Sequence, residues 1–157
     1  MTRHVMRIKK KVREISMYVV SACLAGINCR FDGKNCYDER VADLVKSGEA
    51  IPLCPEVLGG LSIPRTRCEM TTEEGELSVI SETGEDRTQE YTLGAEKTVD
   101  IAKTIGASQA IMKEESPSCG LRRIYDGSFS NKKITGTGIS SKLLLNAGVK
   151  VMTEEDL

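Results

Sequence analysis

The sequence predicts a single compact α/β domain with a small, mostly parallel sheet flanked by helices, and three observations carry that expectation. Short apolar runs at Met17–Ala22, Ala50–Leu53 and Ala110–Met112 are separated by helical patterns and bounded by Gly and Pro. Such runs read as buried parallel strands joined by crossovers. Each run delivers a cysteine at or soon after its end, namely Cys23, Cys54 and Cys119. At 157 residues the chain is long enough to bury about two-thirds of its unfolded surface around one core. The carboxyl ends of strands in an open α/β sheet lie along one edge, where ligands bind. The three cysteines are therefore expected to meet in one site.

Residues 1–16 hold six Lys or Arg against one Glu and are read as a basic N-terminal extension, with the domain over residues 17–157. They lack the apolar core of a signal peptide. After the first strand, Leu24–Cys36 forms a loop rich in Gly and Asn. There Arg30 and Asp32 are candidates to grip a small polar ligand, or else form an ion pair within a turn at Asp32-Gly33. Asp38 is placed to cap a helix whose apolar face is Val41, Leu44 and Val45, with Gly48 as its stop.

The second strand closes on Cys54-Pro55-Glu56, followed by Gly59-Gly60-Leu61 and Pro64-Arg65. Glu56, two residues from a strand-end thiol in a turn stiffened by proline, is a candidate for proton transfer. Its alternative role is that of an acid favoured by a helix N-terminus. Thr71–Thr88 is polar, with Leu77, Val79 and Ile80 suggesting an added strand or hairpin near Gly75 and Gly84. Cys68 has no evident strand terminus and is read as a bystander.

The longest helix is expected over Thr88–Ile105, where Tyr91, Ala95, Val99, Ala102 and Ile105 recur at spacings of three or four before Gly106. Gly94 costs that helix about 1 kcal/mol relative to Ala, which close packing on the sheet would explain. The third strand leads into Lys113-Glu114-Glu115-Ser116-Pro117-Ser118-Cys119-Gly120. Then come a Gly- and Ser-rich loop, Gly127–Gly138, whose Phe129 is expected over the site, a helix at Ile139–Asn146, and a terminal strand at Val149–Met152.

Composition excludes several functions. Hydrophobic content of 39% and charged content of 29% are ordinary for a soluble protein, and no apolar run approaches the ~18 residues of a membrane span. A cytoplasmic protein without a membrane partner is expected. Beyond residue 16 the chain has 16 basic against 22 acidic residues, a net −6, which argues against long nucleic acid as a partner. Six cysteines without a leader favour metal binding or catalysis, while the absence of a C-x-x-C pair disfavours a zinc ribbon or thioredoxin-like site. His4, in the basic extension, is the only histidine, so a Ser-His or Cys-His pair is nearly excluded. Three strand-end thiolates suit an iron-sulfur cube with one open iron. A four-ligand site using Cys29, Cys36 or Cys68 stays open on spacing alone.

Together, Ser21-Ala22-Cys23-Leu24-Ala25-Gly26, Cys29-Arg30-Phe31-Asp32-Gly33, Cys54-Pro55-Glu56 with Gly59-Gly60-Leu61 and Pro64-Arg65, and Ser116-Pro117-Ser118-Cys119-Gly120 resemble the domain of unknown function 523 family, which includes the thiouracil desulfidases. The resemblance runs from about Met17 to the C-terminus, in the same order. It implies a [4Fe-4S] cluster on Cys23, Cys54 and Cys119 with one open iron, and acid-base roles for Glu56 and for Ser116 or Ser118. A small thiolated pyrimidine base or nucleotide is the expected substrate; Arg30, Arg65 and Lys113 are the cations nearest the motifs and candidates to hold a phosphate, with Asp32 beside Arg30 as a further candidate binding residue. Ala25 stands where a second leucine is common and Phe31 where tyrosine is common, so any hydrogen bond from that hydroxyl is lost. A metal-binding module for sensing or assembly is the alternative from another class.

Overall fold

The computed structural model describes residues 16–157, so the expectation for the basic extension, Ser16 apart, falls on residues outside that range. Strands β1 (Tyr18–Ser21), β2 (Ala50–Leu53), β5 (Gln109–Met112) and β8 (Lys150–Thr153) form a parallel sheet in the order β2-β1-β5-β8. The expected α/β architecture is present. The strand leading to Cys23 lies between those leading to Cys54 and Cys119, so all three chain exits are neighbours.

Helices α1 (Glu39–Lys46), α3 (Thr88–Ile105) and α4 (Ile139–Asn146) cover the sheet, and α2 (Pro55–Leu58) is a single turn after β2. Val19 packs with Ala102, Ala110, Met112 and Leu144, whereas Val20 packs with Leu24, Val41 and Ile111. Successive residues of β1 are thus buried on opposite faces. A strand covered on both sides has no polar face, which is why its sequence is continuously apolar. Asp38 caps α1 by accepting the Arg40 N–H at 3.0 Å.

The segment at Thr71–Thr88 is resolved into strands β3 (Cys68–Glu73) and β4 (Glu76–Ser81), an antiparallel hairpin separate from the main sheet. It packs on α3 through Met70, Val79 and Tyr91. The loop expected at Gly127–Gly138 includes β7 (Lys133–Thr135), which pairs with β6 (Arg123–Tyr125). Phe129 stacks on Arg67, 5.4 Å from ring centroid to guanidinium carbon, and does not line the cavity described below. The expected sheet contact of Gly94 is also corrected. A Cβ there would run into the Pro55 carbonyl of α2, and one at Gly59 into the Glu90 carbonyl of α3. The close approach is between two helices.

Candidate active site

A cavity of about 300 Å³ opens at the carboxyl ends of β1, β2 and β5, and all six cysteines line it. Its volume is at the lower end for small-molecule sites. Each wall follows from local structure.

The chain leaves β1 into a 3-10 turn, Ala22–Ala25, that carries Cys23. The carbonyl of Cys23 accepts the Cys36 N–H at 3.0 Å, folding the intervening loop back on the turn. The Cys23 thiol thereby meets those of Cys29 and Cys36, and the Cys54 thiol meets Cys29. Cys54 is the residue before α2, with Pro55 at the first helical position, where its missing N–H costs nothing.

Cys119 is presented by a turn fixed from two sides. The N-terminus of α4 donates to it: Ile139 N–H to the Pro117 carbonyl at 3.0 Å, Ser140 N–H to the Ser118 carbonyl at 2.9 Å, and the Ser141 hydroxyl to the Cys119 carbonyl at 2.6 Å. A side chain at Gly138 would lie 2.6 Å from the Ser118 carbonyl carbon, so this approach requires glycine. From the other side, buried Glu114 Oε1 accepts the N–H groups of Leu121 at 2.8 Å and Arg122 at 3.0 Å, with Glu115 and Arg123 at 3.3 Å. Burial works against its charge, but these donors outweigh it and hold Glu114 below the usual carboxylate range.

Glu56 is the hub of the polar network. Its Oε1 accepts from the Tyr91 hydroxyl at 2.7 Å and Arg65 Nε at 3.1 Å, and its Oε2 accepts from the Ser118 hydroxyl at 2.8 Å. Ser118 and Ser116 oxygens are 2.9 Å apart. A hydroxyl carries one proton, and that of Ser118 goes to Glu56, so Ser116 is the donor in this pair. The Ser116 oxygen in turn accepts the N–H groups of Ser118 and Cys119, each at 3.2 Å. A directional chain therefore runs Ser116 to Ser118 to Glu56.

Burial raises the Cys119 thiol to about 11, partly offset by the Ser21 hydroxyl. Cys36 is lowered by the Cys23 thiol and by Arg30, whose Nη1 is 2.8 Å from its sulfur. Cys29 is lowered by the Cys23 and Cys54 thiols, with Arg65 adding to the effect. At both cysteines the neighbouring thiol is the larger cause and the adjacent arginine the smaller one.

The sequence pattern of the 2-thiouracil desulfurase family matches residues 18–156. The chain belongs to that family. It is 45% identical over 147 residues to the uncharacterized protein YbbK of Bacillus subtilis (strain 168), covering 90% of this chain and 97% of that one. Its fold is similar to the [4Fe-4S]-dependent thiouracil desulfidase TudS, with a TM-score of 0.83 and 38% identity over 90% of this chain and 93% of that chain.

Within this family framework, the structure brings Cys23, Cys54, Cys119, Glu56, Ser116 and Ser118 to one cavity. The four candidate binding residues divide. Arg30 and Lys113 line the cavity, but Lys113 pairs with Glu154 at 2.6 Å. Burial disfavours the lysine's charge, and Glu154 outweighs that to hold it above the ordinary lysine range. Arg65 lines the cavity with its nitrogens bonded to Glu56, the Cys29 carbonyl at 3.0 Å and the Ser62 carbonyl at 3.2 Å, so it serves Glu56. Asp32 lies off the cavity, accepting the Lys34 N–H at 3.0 Å and standing 3.5 Å from Arg30 Nε, which is the turn alternative. Cys68, read as a bystander, opens β3 and lines the cavity beside Tyr91, its thiol aimed at the Thr66 carbonyl.

Sequence reasoning did not assign Tyr91 or Glu114 to the site. A tyrosine on an apolar helix face needs a partner for its hydroxyl, which was the available signal for the first. A Glu just past a buried strand, ahead of a turn full of unpaired N–H groups, was the signal for the second.

Proposed function

We propose that the protein is a [4Fe-4S]-dependent desulfidase that hydrolyses the thiocarbonyl of a 4-thiouracil-type base or nucleotide to a uracil-type carbonyl and hydrogen sulfide. One observation carries the reading: a cavity ringed by thiols from three adjacent strand ends has a carboxylate and a two-serine relay in its wall. Family membership supports it, as does the likeness to a desulfidase.

The donor set fits the cluster. Among the described residues no three Cys, His, Asp or Glu side chains gather closely enough for one metal ion. All six thiols line one cavity, a set of soft donors suited to a polynuclear group. Cys23, Cys54 and Cys119 would hold it, with Arg30 and Arg65 offsetting its charge. When bound with one iron free of protein ligands, the cluster supplies a thiophilic Lewis acid for the sulfur of the substrate.

The chain's own residues supply the proton chemistry. Glu56 Oε2 takes a proton from the attacking water either directly or along the relay, in which water protonates Ser116 as Ser116 passes its own proton to Ser118 and Ser118 passes its own to Oε2. Arg65 and Tyr91 hold Oε1 throughout. Water contributes its oxygen to the ring carbon, the C–S bond breaks, and the two protons of water leave with the sulfur. The conversion is balanced without net electron transfer. A body bearing net negative charge favours a free base or mononucleotide over thiolated tRNA.

Anaerobic purification tests the cofactor. About four iron and four sulfide per chain are expected, and changing Cys23, Cys54 or Cys119 to Ala removes them, whereas stoichiometric zinc without iron would sink the reading.

A further inference from the structure

Resting on the desulfidase reading, we propose that Tyr91 is a positioning residue that selects which oxygen of Glu56 handles protons. Its ring belongs to the core cluster of Met70, Val79 and Ile124, so burial alone accounts for an aromatic residue at this position. The hydroxyl is a separate matter. A buried hydroxyl needs a partner, and this one donates its single proton to Glu56 Oε1 at 2.7 Å.

Backbone geometry shows that the pairing is built. A Cβ at Gly94 would strike the carbonyl of Pro55, the residue before Glu56. Reciprocally, a Cβ at Gly59 would strike the carbonyl of Glu90, the residue before Tyr91. The two glycines therefore seat α2 against α3 with Glu56 and Tyr91 flanking the contact. Gly94 is unfavourable in the middle of an 18-residue helix, and a site constraint offers a reason for it.

The carboxylate is then held by donors from three separate segments. Tyr91 of α3 and Arg65 of the loop before β3 occupy Oε1, and Ser118 of the turn after β5 reaches Oε2. Two donors on one oxygen leave the other free to exchange protons along the serine relay. Without Tyr91 the carboxylate loses one of the two contacts that define its rotation, and the relay loses its fixed acceptor. Such a loss acts on turnover more than on substrate binding.

The test is Tyr91→Phe, which keeps the ring and removes the hydroxyl, made alone and together with Glu56→Gln in protein carrying a full cluster. With 4-thiouracil, Tyr91→Phe is expected to lower kcat by roughly 10- to 100-fold, the scale of one hydrogen bond to a charged group, and to leave KM, iron and sulfide content and the visible spectrum unchanged. On the Glu56→Gln background the same change should add nothing. An unchanged kcat, or an equal loss on both backgrounds, would overturn the proposal. If wild-type protein with a full cluster turns over no thiolated pyrimidine, the desulfidase reading fails by itself. Crystal structures of wild type and Tyr91→Phe then decide the positioning role: a turned Glu56 carboxylate supports it, and an unmoved one overturns it.

Discussion

Glu56 accepts from three side chains, yet its neighbours differ in what their removal should do. Glu56→Gln keeps the size of the side chain and most of the contacts but cannot take a proton. Its kcat is expected to fall by ~10²- to 10⁴-fold with cluster content retained, as measured by steady-state kinetics beside iron analysis. The two serines separate on geometry. Ser118 is the link to Glu56, so Ser118→Ala should lower kcat with the cluster intact. Ser116 also accepts two N–H groups of the turn that presents Cys119, so Ser116→Ala should in addition reduce cluster retention. Equal iron content and equal kcat in the two variants would contradict the assigned direction of the relay. The motifs make Glu56, Ser116 and Ser118 legible in the sequence, but the order of the relay is not. It depends on hydroxyl oxygens that meet a carboxylate 62 positions away in the chain.

Among the elements, the short helix α2 is the least self-sufficient, because four residues cannot form a stable helix without tertiary support. Its support is the glycine contact with α3. Gly94→Ala improves intrinsic helix propensity by about 1 kcal/mol, yet the added methyl has no space against Pro55. The variant is expected to melt at a lower temperature than wild type, and a higher melting temperature would show that α2 can move aside at no cost. The cysteine turn after β5 depends likewise on Glu114. Replacing it by Ala strands four N–H groups that share one oxygen, and the chain should lose iron and sulfide although no candidate ligand has changed. Helix α3 was legible to its ends because Thr88–Ile105 has a clear apolar stripe and a glycine stop. Strands β6 and β7 were not, since each has three residues, and those of β7 are all exposed, leaving no alternation to read.

At the scale of the whole molecule, strand order turns distant cysteines into one site. Placing β1 between β2 and β5 makes neighbours of Cys23, Cys54 and Cys119, which lie up to 96 positions apart in sequence. The parallel sheet and its ligand edge were legible because buried strands carry continuous apolar runs. What the same runs could not show is that Cys29, Cys36 and Cys68 reach the cavity, since these thiols arrive by loop folding and by a hairpin whose strands are mostly polar. The central claim is that this assembly removes sulfur from a thiolated pyrimidine. It is tested most directly by incubating anaerobically reconstituted protein with 4-thiouracil or its mononucleotide and following both the thiocarbonyl absorbance and released sulfide. Loss of that absorbance with one sulfide released per uracil-type product is the predicted result, and protein with a full cluster that leaves every such compound unchanged would contradict it.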